Sequence, residues 1–126
     1  MSTELAVILP VAILLLLGLM EGGRIVGAWV ILTNEAREAA RYGAINDYNV
    51  ACPDTSAWQS NVTSFAANSV GQMLDTSRGF QVQATLDCST GIPTSSQVML
   101  TYTLATLAPI HSGIVTVYAT SSMRAE

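Results

Sequence analysis

Residues 2–24 read STELAVILPVAILLLLGLMEGGR, and Glu4 stands at the start of an otherwise unbroken apolar run. A charged group in hydrocarbon costs several kcal/mol unless it finds a partner, so an acidic residue in such a run marks a functional site. No side chain between Leu5 and Met20 can neutralise it. Two partners remain for Glu4: the chain's own N-terminal amine or the amine of another copy.

The apolar run is slightly short for a membrane span, because about 20 apolar residues are needed to cross roughly 30 Å of hydrocarbon. After Glu21–Arg24 the pattern resumes as IVGAWVIL, which predicts one helix from about Glu4 to about Tyr42 with its membrane segment first. Pro10 predicts a local kink or break in this helix. Gly43 is the predicted C-cap.

Four glycines in the predicted helix form two small-xxx-small pairs, Gly18 with Gly22 and Gly23 with Gly27. Such pairs let helix backbones approach closely, which predicts an assembly role for them. The alternative is chance placement in an apolar helix. Glu21 and Arg24, three residues apart, are predicted to pair at the membrane boundary.

The apolar run has two simpler interpretations. A cleavable secretory signal is not expected, because no cationic region precedes the run and no A-x-A-like site follows it. A plain single-pass anchor explains the run, but it has no need to tolerate Glu4. We therefore predict a membrane or filament-core helix over residues 1–32. Residues 33–126 are predicted to form the C-terminal half of that helix and a globular outer domain.

The outer domain is predicted to contain a second helix and a small sheet. The helix runs from about Ser56 to about Ser77, with N-cap candidates at 54–56 and Gly79 as its stop. Its apolar residues recur every three or four positions: Trp58, Val62, Phe65, Ala66, Val70, Met73 and Leu74. From Phe80 the period changes to two, which indicates half-buried strands. The inward positions of the three strands are Phe80, Val82, Ala84 and Leu86; Val98, Leu100, Tyr102 and Leu104; and Val115, Val117 and Ala119.

Short strands joined by turn-rich loops favour an antiparallel meander. The predicted fold class is therefore α+β: a long N-terminal hydrophobic helix, a second helix and a small antiparallel sheet.

Cys52 and Cys88 are an even count in a polar outer domain, and a disulfide between them is the natural interpretation. The alternative is two unpaired core thiols. Asn61 begins an N-V-T sequon, which predicts a glycosylation site, although the same residues also suit a helix surface.

Composition argues against several classes of function. Half of the 126 residues are hydrophobic, 11% are charged and the net charge is -4, which excludes a disordered chain. Lysine is absent and the arginines are spread out, so no basic patch is available for nucleic acid. An enzyme is not expected, because His111 is the one histidine and lies in a turn with no matching triad or metal-ligand spacing. No cofactor and no metal are expected.

Three stretches together resemble a known family. The pattern TELAVILPVAILLLLGLMEGGRI at residues 3–25, the segment TNEAREAARYGA at 33–44 and the ending SSMRAE at 121–126 resemble the TadE-like proteins of tight-adherence pili. These proteins are a branch of the type IV pilin superfamily. The resemblance implies a pilin-like fold and a structural subunit of an extracellular pilus used for surface attachment.

The resemblance also implies partners and a location. A prepilin of this kind waits in the inner membrane, loses a short leader to a prepilin peptidase, and is assembled by an ATPase and its platform into a helical filament of identical copies. This sequence shows no such leader, so we expect either that it is the mature form or that Met1 is an initiator and the processing does not apply here. The family's glutamate is usually the fifth mature residue, whereas Glu4 is fourth.

The same resemblance gives Glu4 a role. In type IV pilins the early glutamate pairs with the N-terminal amine of a neighbouring subunit, which would make Glu4 a register device for assembly. The alternative is a Glu4 that pairs with its own terminus at the membrane surface. For the whole chain, the alternatives to a polymerising pilin are a minor pilin or pseudopilin that primes assembly, or a monomeric membrane-anchored extracytoplasmic domain.

Overall fold

The first element of the structure is helix α1, Ser2–Ile45, a single helix of 44 residues. This computed structural model describes residues 2–46, 50, 52–77, 79–106 and 114–124. At ~1.5 Å per residue, α1 is about 66 Å long. Only its C-terminal part, from Ala28 onwards, carries buried core residues.

Pro10 lies inside α1 without interrupting it, so the break predicted as one outcome at this residue is absent. Proline has no backbone N–H and leaves the carbonyl of Ala6 without its helical hydrogen bond. The helix tolerates this loss because nucleation is the costly step, while each further residue on either side adds one bond.

The C-terminal half of α1 carries the packed part of the fold. Ala28, Leu32 and Ala36 are buried and follow one another at intervals of four residues, and Ala39 and Ala40 continue the same face. Small alanines on this face let the sheet approach the helix axis closely. We call the chain from Ala28 onwards the head, and residues 4–24 the stalk.

The division of the chain into a membrane or filament-core helix, 1–32, and an outer segment, 33–126, stays a prediction. The packed core nevertheless begins inside the first of these segments, because Ala28 is 3% exposed and Leu32 is fully buried. Ile25, one turn earlier, already packs against the core.

Helix α1 ends later than predicted. Gly43 was expected to terminate it, but the helix continues to Ile45, and Asn46 closes it. The backbone N–H and the side-chain amide of Asn46 both donate to the carbonyl of Tyr42, at 3.1 and 2.9 Å. These bonds satisfy a carbonyl that the helix end would otherwise leave open.

Helix α2, Ser56–Gly71, lies beside α1 and buries Trp58, Val62, Ala66 and Val70, as its spacing predicts. Phe65 stacks on Tyr42 of α1, with ring centroids 4.3 Å apart and planes 2° from parallel. Thr55 occupies the N-cap position without a side-chain capping bond.

The turn before α2 is held by an aspartate that was among the N-cap candidates. The Asp54 carboxylate accepts hydrogen bonds from the Ser56 hydroxyl and backbone N–H, at 2.8 and 3.2 Å. These bonds stabilise the ionised form and lower the pKa of Asp54 from its ordinary value of 3.8.

Helix α2 ends six residues before the predicted Ser77. The Asp75 carboxylate accepts hydrogen bonds from the backbone N–H and the hydroxyl of Ser77, at 3.1 and 2.6 Å, and this side-chain turn replaces the helical pattern. Met73, predicted on the buried stripe, is 60% exposed as a result. Gly79 has a φ of +70° and lies in the connection to the sheet.

Three strands form an antiparallel meander in the order β1-β2-β3, as predicted. The strands are β1, Gln81–Asp87; β2, Ser95–Ala105; and β3, Ile114–Arg124. Leu104 pairs with Val115, Tyr102 with Val117, and Leu100 with Ala119, so the predicted inward positions share one face. Both helices cover that face, with α1 on β2 and β3 and α2 on β1. The predicted α+β fold class is confirmed.

The disulfide predicted from the cysteine count is present. Cys52, in the turn before α2, is bonded to Cys88 at the end of β1, with Cα atoms 5.8 Å apart. It closes a loop with a sequence separation of 36 residues and ties the α2 side of the head to the sheet.

Gly43 serves close packing where it was expected to serve as a cap. The Trp58 indole N–H donates to the Gly43 carbonyl at 3.0 Å, so the indole lies directly against the α1 backbone. A Cβ added at Gly43 would lie 2.5 Å from the Ser96 Oγ and 2.9 Å from a ring carbon of Trp58. Glycine is required at this helix crossing.

We expect Gly43→Ala to lower the free energy of unfolding of the head by about 1 to 3 kcal/mol, because the added methyl overpacks a filled site. The loss should occur although alanine is about 1 kcal/mol better than glycine in a helix interior. Denaturant titration of the chain in detergent micelles, followed by tryptophan fluorescence, measures the change.

Gly71→Ala is the matched control, since a Cβ there would meet Thr76 only at 3.7 Å, an ordinary contact. It should leave the unfolding midpoint unchanged or slightly raised. Equal destabilisation by the two variants would show that the Gly43 site has room to relax.

Candidate functional site

From Leu5 to Met20 the stalk is exposed around its whole circumference. Between Leu5 and Met20 the large apolar side chains are 46% to 74% exposed, the extremes being Leu17 and Leu19. A helix that is apolar on all sides is stable only in surroundings that are themselves apolar. Since the head covers none of this surface, the stalk requires lipid or other protein chains around it.

Among the described residues, one helix, Glu4–Ile45, is long and apolar enough to cross a membrane. Its most apolar stretch has a mean hydropathy of 2.4, and none of that stretch is buried. Its most apolar part is the stalk. Leu5–Arg24 is 20 residues, which at ~1.5 Å per residue spans about 30 Å, the thickness of the hydrocarbon core of a bilayer. The N-terminal helix therefore indicates membrane anchoring.

Glu4 lies at the far end of the stalk from the head. Its side chain is exposed. Arg24 is the next cationic side chain along α1, about 30 Å away along the helix axis at ~1.5 Å per residue. Within the described part of the chain, Glu4 therefore has no cation within reach, and the partners left open by the sequence are still its own terminal amine or another copy's.

At the other end of the stalk, Glu21 and Arg24 form the predicted ion pair. A guanidinium nitrogen of Arg24 lies 3.6 Å from a carboxylate oxygen of Glu21, and the two side chains are 38% and 15% exposed. The guanidinium of Arg24 reaches solvent, whereas most of the Glu21 side chain is covered. Their position at a membrane boundary stays a prediction.

The glycines of the two pairs differ from Gly43 in their surroundings; we call all four the stalk glycines, although Gly27 lies just beyond the stalk. A Cβ added at Gly18, Gly22, Gly23 or Gly27 would meet nothing within 4 Å. Each glycine costs a helix about 1 kcal/mol relative to alanine. No contact to a described residue offsets that cost, so a packing reason for these glycines is sought outside the described part of the chain.

The spacing places the two glycine pairs on different sides of α1. At about 100° per residue, Gly22 lies about 40° from Gly18 around the helix, and Gly27 about 40° from Gly23. The centres of the two pairs are about 140° apart. One helix can therefore offer a close approach to two separate neighbours.

Asn61 and Pro10, two further residues predicted to be functional, are both exposed. Asn61 is exposed on α2, where a glycan would have room, and its modification stays a prediction. Pro10 lies in the exposed stalk, and its role in assembly also stays a prediction. His111 lies outside the described residues.

Sequence reasoning missed a groove at the junction of stalk and head. It lies between the outer face of α1 and the edge strand β3 and is lined by Ile25, Val26, Trp29 and residues 115–118. Its volume is about 420 Å³. Trp29 and Tyr118 are 52% and 69% exposed beside it. The one feature of the sequence that could have indicated this groove is Trp29, an aromatic residue shortly after an apolar run long enough to cross a membrane.

A family model described as TadE-like protein matches residues 1–41, which cover the stalk and most of the head-bearing half of α1. The resemblance drawn from the sequence is thereby confirmed over this segment. Comparisons with curated proteins and with solved structures gave no match. A TadE-like match indicates a protein associated with tight-adherence pili.

Proposed function

We propose, from the TadE-like segment and the form of α1, that this chain is a pilin: a structural, non-catalytic subunit that polymerises into a tight-adherence pilus for surface attachment. The observation that carries the proposal is the stalk, an apolar helix about 30 Å long that is exposed around its whole circumference from Leu5 to Met20. The same surface suits lipid before assembly and neighbouring stalks after it.

The stalk glycines favour polymerisation over a plain anchor. An anchor surrounded by lipid gains nothing from glycine, whereas helices that pack on one another gain close backbone contact. Two glycine pairs on different sides of α1 suit a helix with neighbours on both sides. When one side of α1 contacts the other side of the next copy's α1, the same contact repeats from copy to copy. The copies then form an open filament unless the rotation between them closes a ring.

The head supports an extracytoplasmic location. A disulfide such as Cys52–Cys88 forms and persists in oxidising compartments and is rare in the cytosol. The proposed route follows the family resemblance: an inner-membrane precursor pool, processing by a prepilin peptidase, and assembly by an ATPase and its platform. The filament of identical copies then carries the heads on its outside at the cell surface.

A minor pilin or pseudopilin is the alternative that the same stalk allows, because such a subunit also inserts into the helix bundle. The two differ in abundance along the filament. Antibodies against the head, applied to sheared filaments and viewed by electron microscopy, should label the full length if the chain is the major subunit. Label confined to filament ends would assign it the priming role, and label confined to membranes would assign it to a monomeric anchor.

We expect Gly22→Leu to reduce filament yield about ten- to a hundred-fold, because overpacking a close helix contact costs about 1 to 3 kcal/mol. The head should remain folded, since a Cβ added at Gly22 meets nothing within 4 Å among the described residues. Sheared-filament yield relative to membrane-retained protein measures the effect.

Ala6→Leu is the matched control. It adds similar bulk to an exposed stalk position that is about 60° around the helix from the nearest glycine, at 100° per residue. It should assemble nearly normally. Normal assembly of Gly22→Leu as well would remove the glycine argument for polymerisation.

A further inference from the structure

The groove between α1 and β3 lies at the stalk-proximal end of the head. Strand β3 runs alongside α1: Val115–Tyr118 meets α1 at Ile25–Trp29, and the other end of β3, at Arg124, lies near Arg41 and Ile45. The beginning of β3 is therefore the part of the sheet nearest the stalk. Around it, Val26, Trp29, Ile114 and Tyr118 are all more than half exposed.

Charge is distributed unevenly along the head. On α1 the described charged residues after Arg24 begin at Glu35 and extend to Arg41. On the sheet the charged residues are Asp87 and Arg124, and both lie at the end remote from the stalk, because Asp87 and Arg124 each pair with Ser95. Within the described residues, the groove itself is lined by apolar and aromatic side chains and Thr116, and the charged residues next to it, Glu21 and Arg24, pair with each other.

The level of the groove follows from the length of α1. If Leu5–Arg24 fills the ~30 Å hydrocarbon core, Trp29 lies five residues further, or about 7.5 Å beyond it at ~1.5 Å per residue. The headgroup region on each side of the core is about 5 to 8 Å thick. Trp29 and the groove are therefore at the height of the headgroups.

We propose that this end of the head rests on the outer lipid–water interface, with Trp29 and the β3 edge at Val115–Tyr118 in contact with lipid headgroups. The proposal rests on membrane insertion of the stalk, which belongs to the proposed function. Tryptophan and tyrosine are the side chains enriched at this depth, because an apolar ring and a polar tip suit the two sides of the boundary. The open backbone edge of β3 can be hydrated there, as it could not be in hydrocarbon.

A second copy's stalk is the competing occupant of the groove, and the chemistry favours lipid. The stalk between Leu5 and Met20 has no polar side chain to meet the indole N–H of Trp29, the tyrosine hydroxyl or the β3 edge. Headgroups and interfacial water meet all three. The contact would fix the depth of the chain and hold the head against the bilayer before assembly.

Quenching of Trp29 fluorescence tests the proposal on the full chain in phosphatidylcholine vesicles. The vesicles contain lipids with a nitroxide either at the headgroup or near the acyl end, at low protein-to-lipid ratio. The emission of Trp29 is the difference between wild type and Trp29→Phe, which removes the contribution of Trp58. We expect headgroup nitroxides to remove most of this emission, acyl-end nitroxides to remove little, and aqueous iodide to remove less than it does from a free indole.

The double variant Trp29→Phe, Ser122→Trp is the matched control. Ser122 is exposed on the same strand, four residues beyond Tyr118 and so about 13 Å further from the stalk at ~3.4 Å per residue. Its tryptophan should respond to iodide and not to the lipid nitroxides. Equal lipid quenching at both positions would overturn the assigned depth.

Three other outcomes would overturn the proposal. Quenching of Trp29 by iodide alone would place the groove in water. Protection from both quenchers that appears only at high protein density would assign the groove to a second copy's stalk. Failure of the chain to float with the vesicles would remove membrane insertion and the proposal with it. The vesicles contain no assembly machinery, so a failure to label filaments would leave this measurement unaffected.

Discussion

Replacing both cysteines, Cys52→Ser with Cys88→Ser, should lower the free energy of unfolding of the head by about 3 to 4 kcal/mol. The disulfide closes a loop of 36 residues, and in the chain-entropy model a loop of this length stabilises by that amount. The whole stability of a small domain is about 5 to 15 kcal/mol, so the loss is a large fraction. Denaturant titration in detergent micelles measures it.

Chemical reduction of the unmodified chain is the control for this double variant. It breaks the same bond without changing a side chain elsewhere, and it should shift the unfolding midpoint by a similar amount. An unchanged midpoint in both experiments would show that the packing of α1, α2 and the sheet suffices alone. Two alkylatable thiols in the untreated, unreduced protein would contradict the disulfide itself.

The sheet could be predicted closely from the sequence. Val98, Leu100 and Tyr102 alternate with polar residues, and a period of two has one structural solution when only one face is covered. The two turn-rich loops are too short for crossover connections, so the meander followed. These signals are local, and no distant residue alters them.

The ends of the two helices could not be predicted in the same way, because individual side-chain contacts outside the helical pattern decide them. Gly43 carries the sequence signature of a helix stop, yet its role depends on Trp58 and Ser96, which pack against it from other elements. After Gly71 the backbone N–H groups of Gln72 and Met73 donate to the carbonyls three residues earlier, and the side-chain turn at Asp75 follows. Propensity is a weak prior that such contacts override.

Only the part of the candidate site that lies along a single helix could be predicted from the sequence. The stalk, Glu4 and the glycines are consecutive along one helix, so their order in the sequence is their order in space. The groove joins Trp29 to Val115–Tyr118, which are far apart in the chain. Only the way β3 lies along α1 brings them together, and no pattern in either segment states that pairing.

Glu4→Ala should abolish most filament assembly while leaving the head folded. The nearest core residue of the head, Ala28, is 24 residues further along α1, or about 36 Å at ~1.5 Å per residue. In an assembled bundle, removal of the carboxylate would leave a neighbour's amine without its partner, and breaking a buried pair costs about 3 to 5 kcal/mol. This corresponds to a loss of roughly a hundred-fold to several thousand-fold. Sheared-filament yield against membrane-retained monomer measures it.

Two further substitutions separate pairing from a general effect of charge. Glu4→Gln should be milder, because an amide oxygen keeps part of the hydrogen bonding to an amine. Glu21→Ala should have less effect on assembly than Glu4→Ala, since Glu21 pairs with Arg24 of its own helix and leaves no neighbour's amine without a partner. Normal yield of Glu4→Ala filaments with unchanged helical register would contradict the intersubunit pairing. Glu4 would then be a solvated carboxylate at the membrane boundary, and the register would be set by the stalk glycines and the heads.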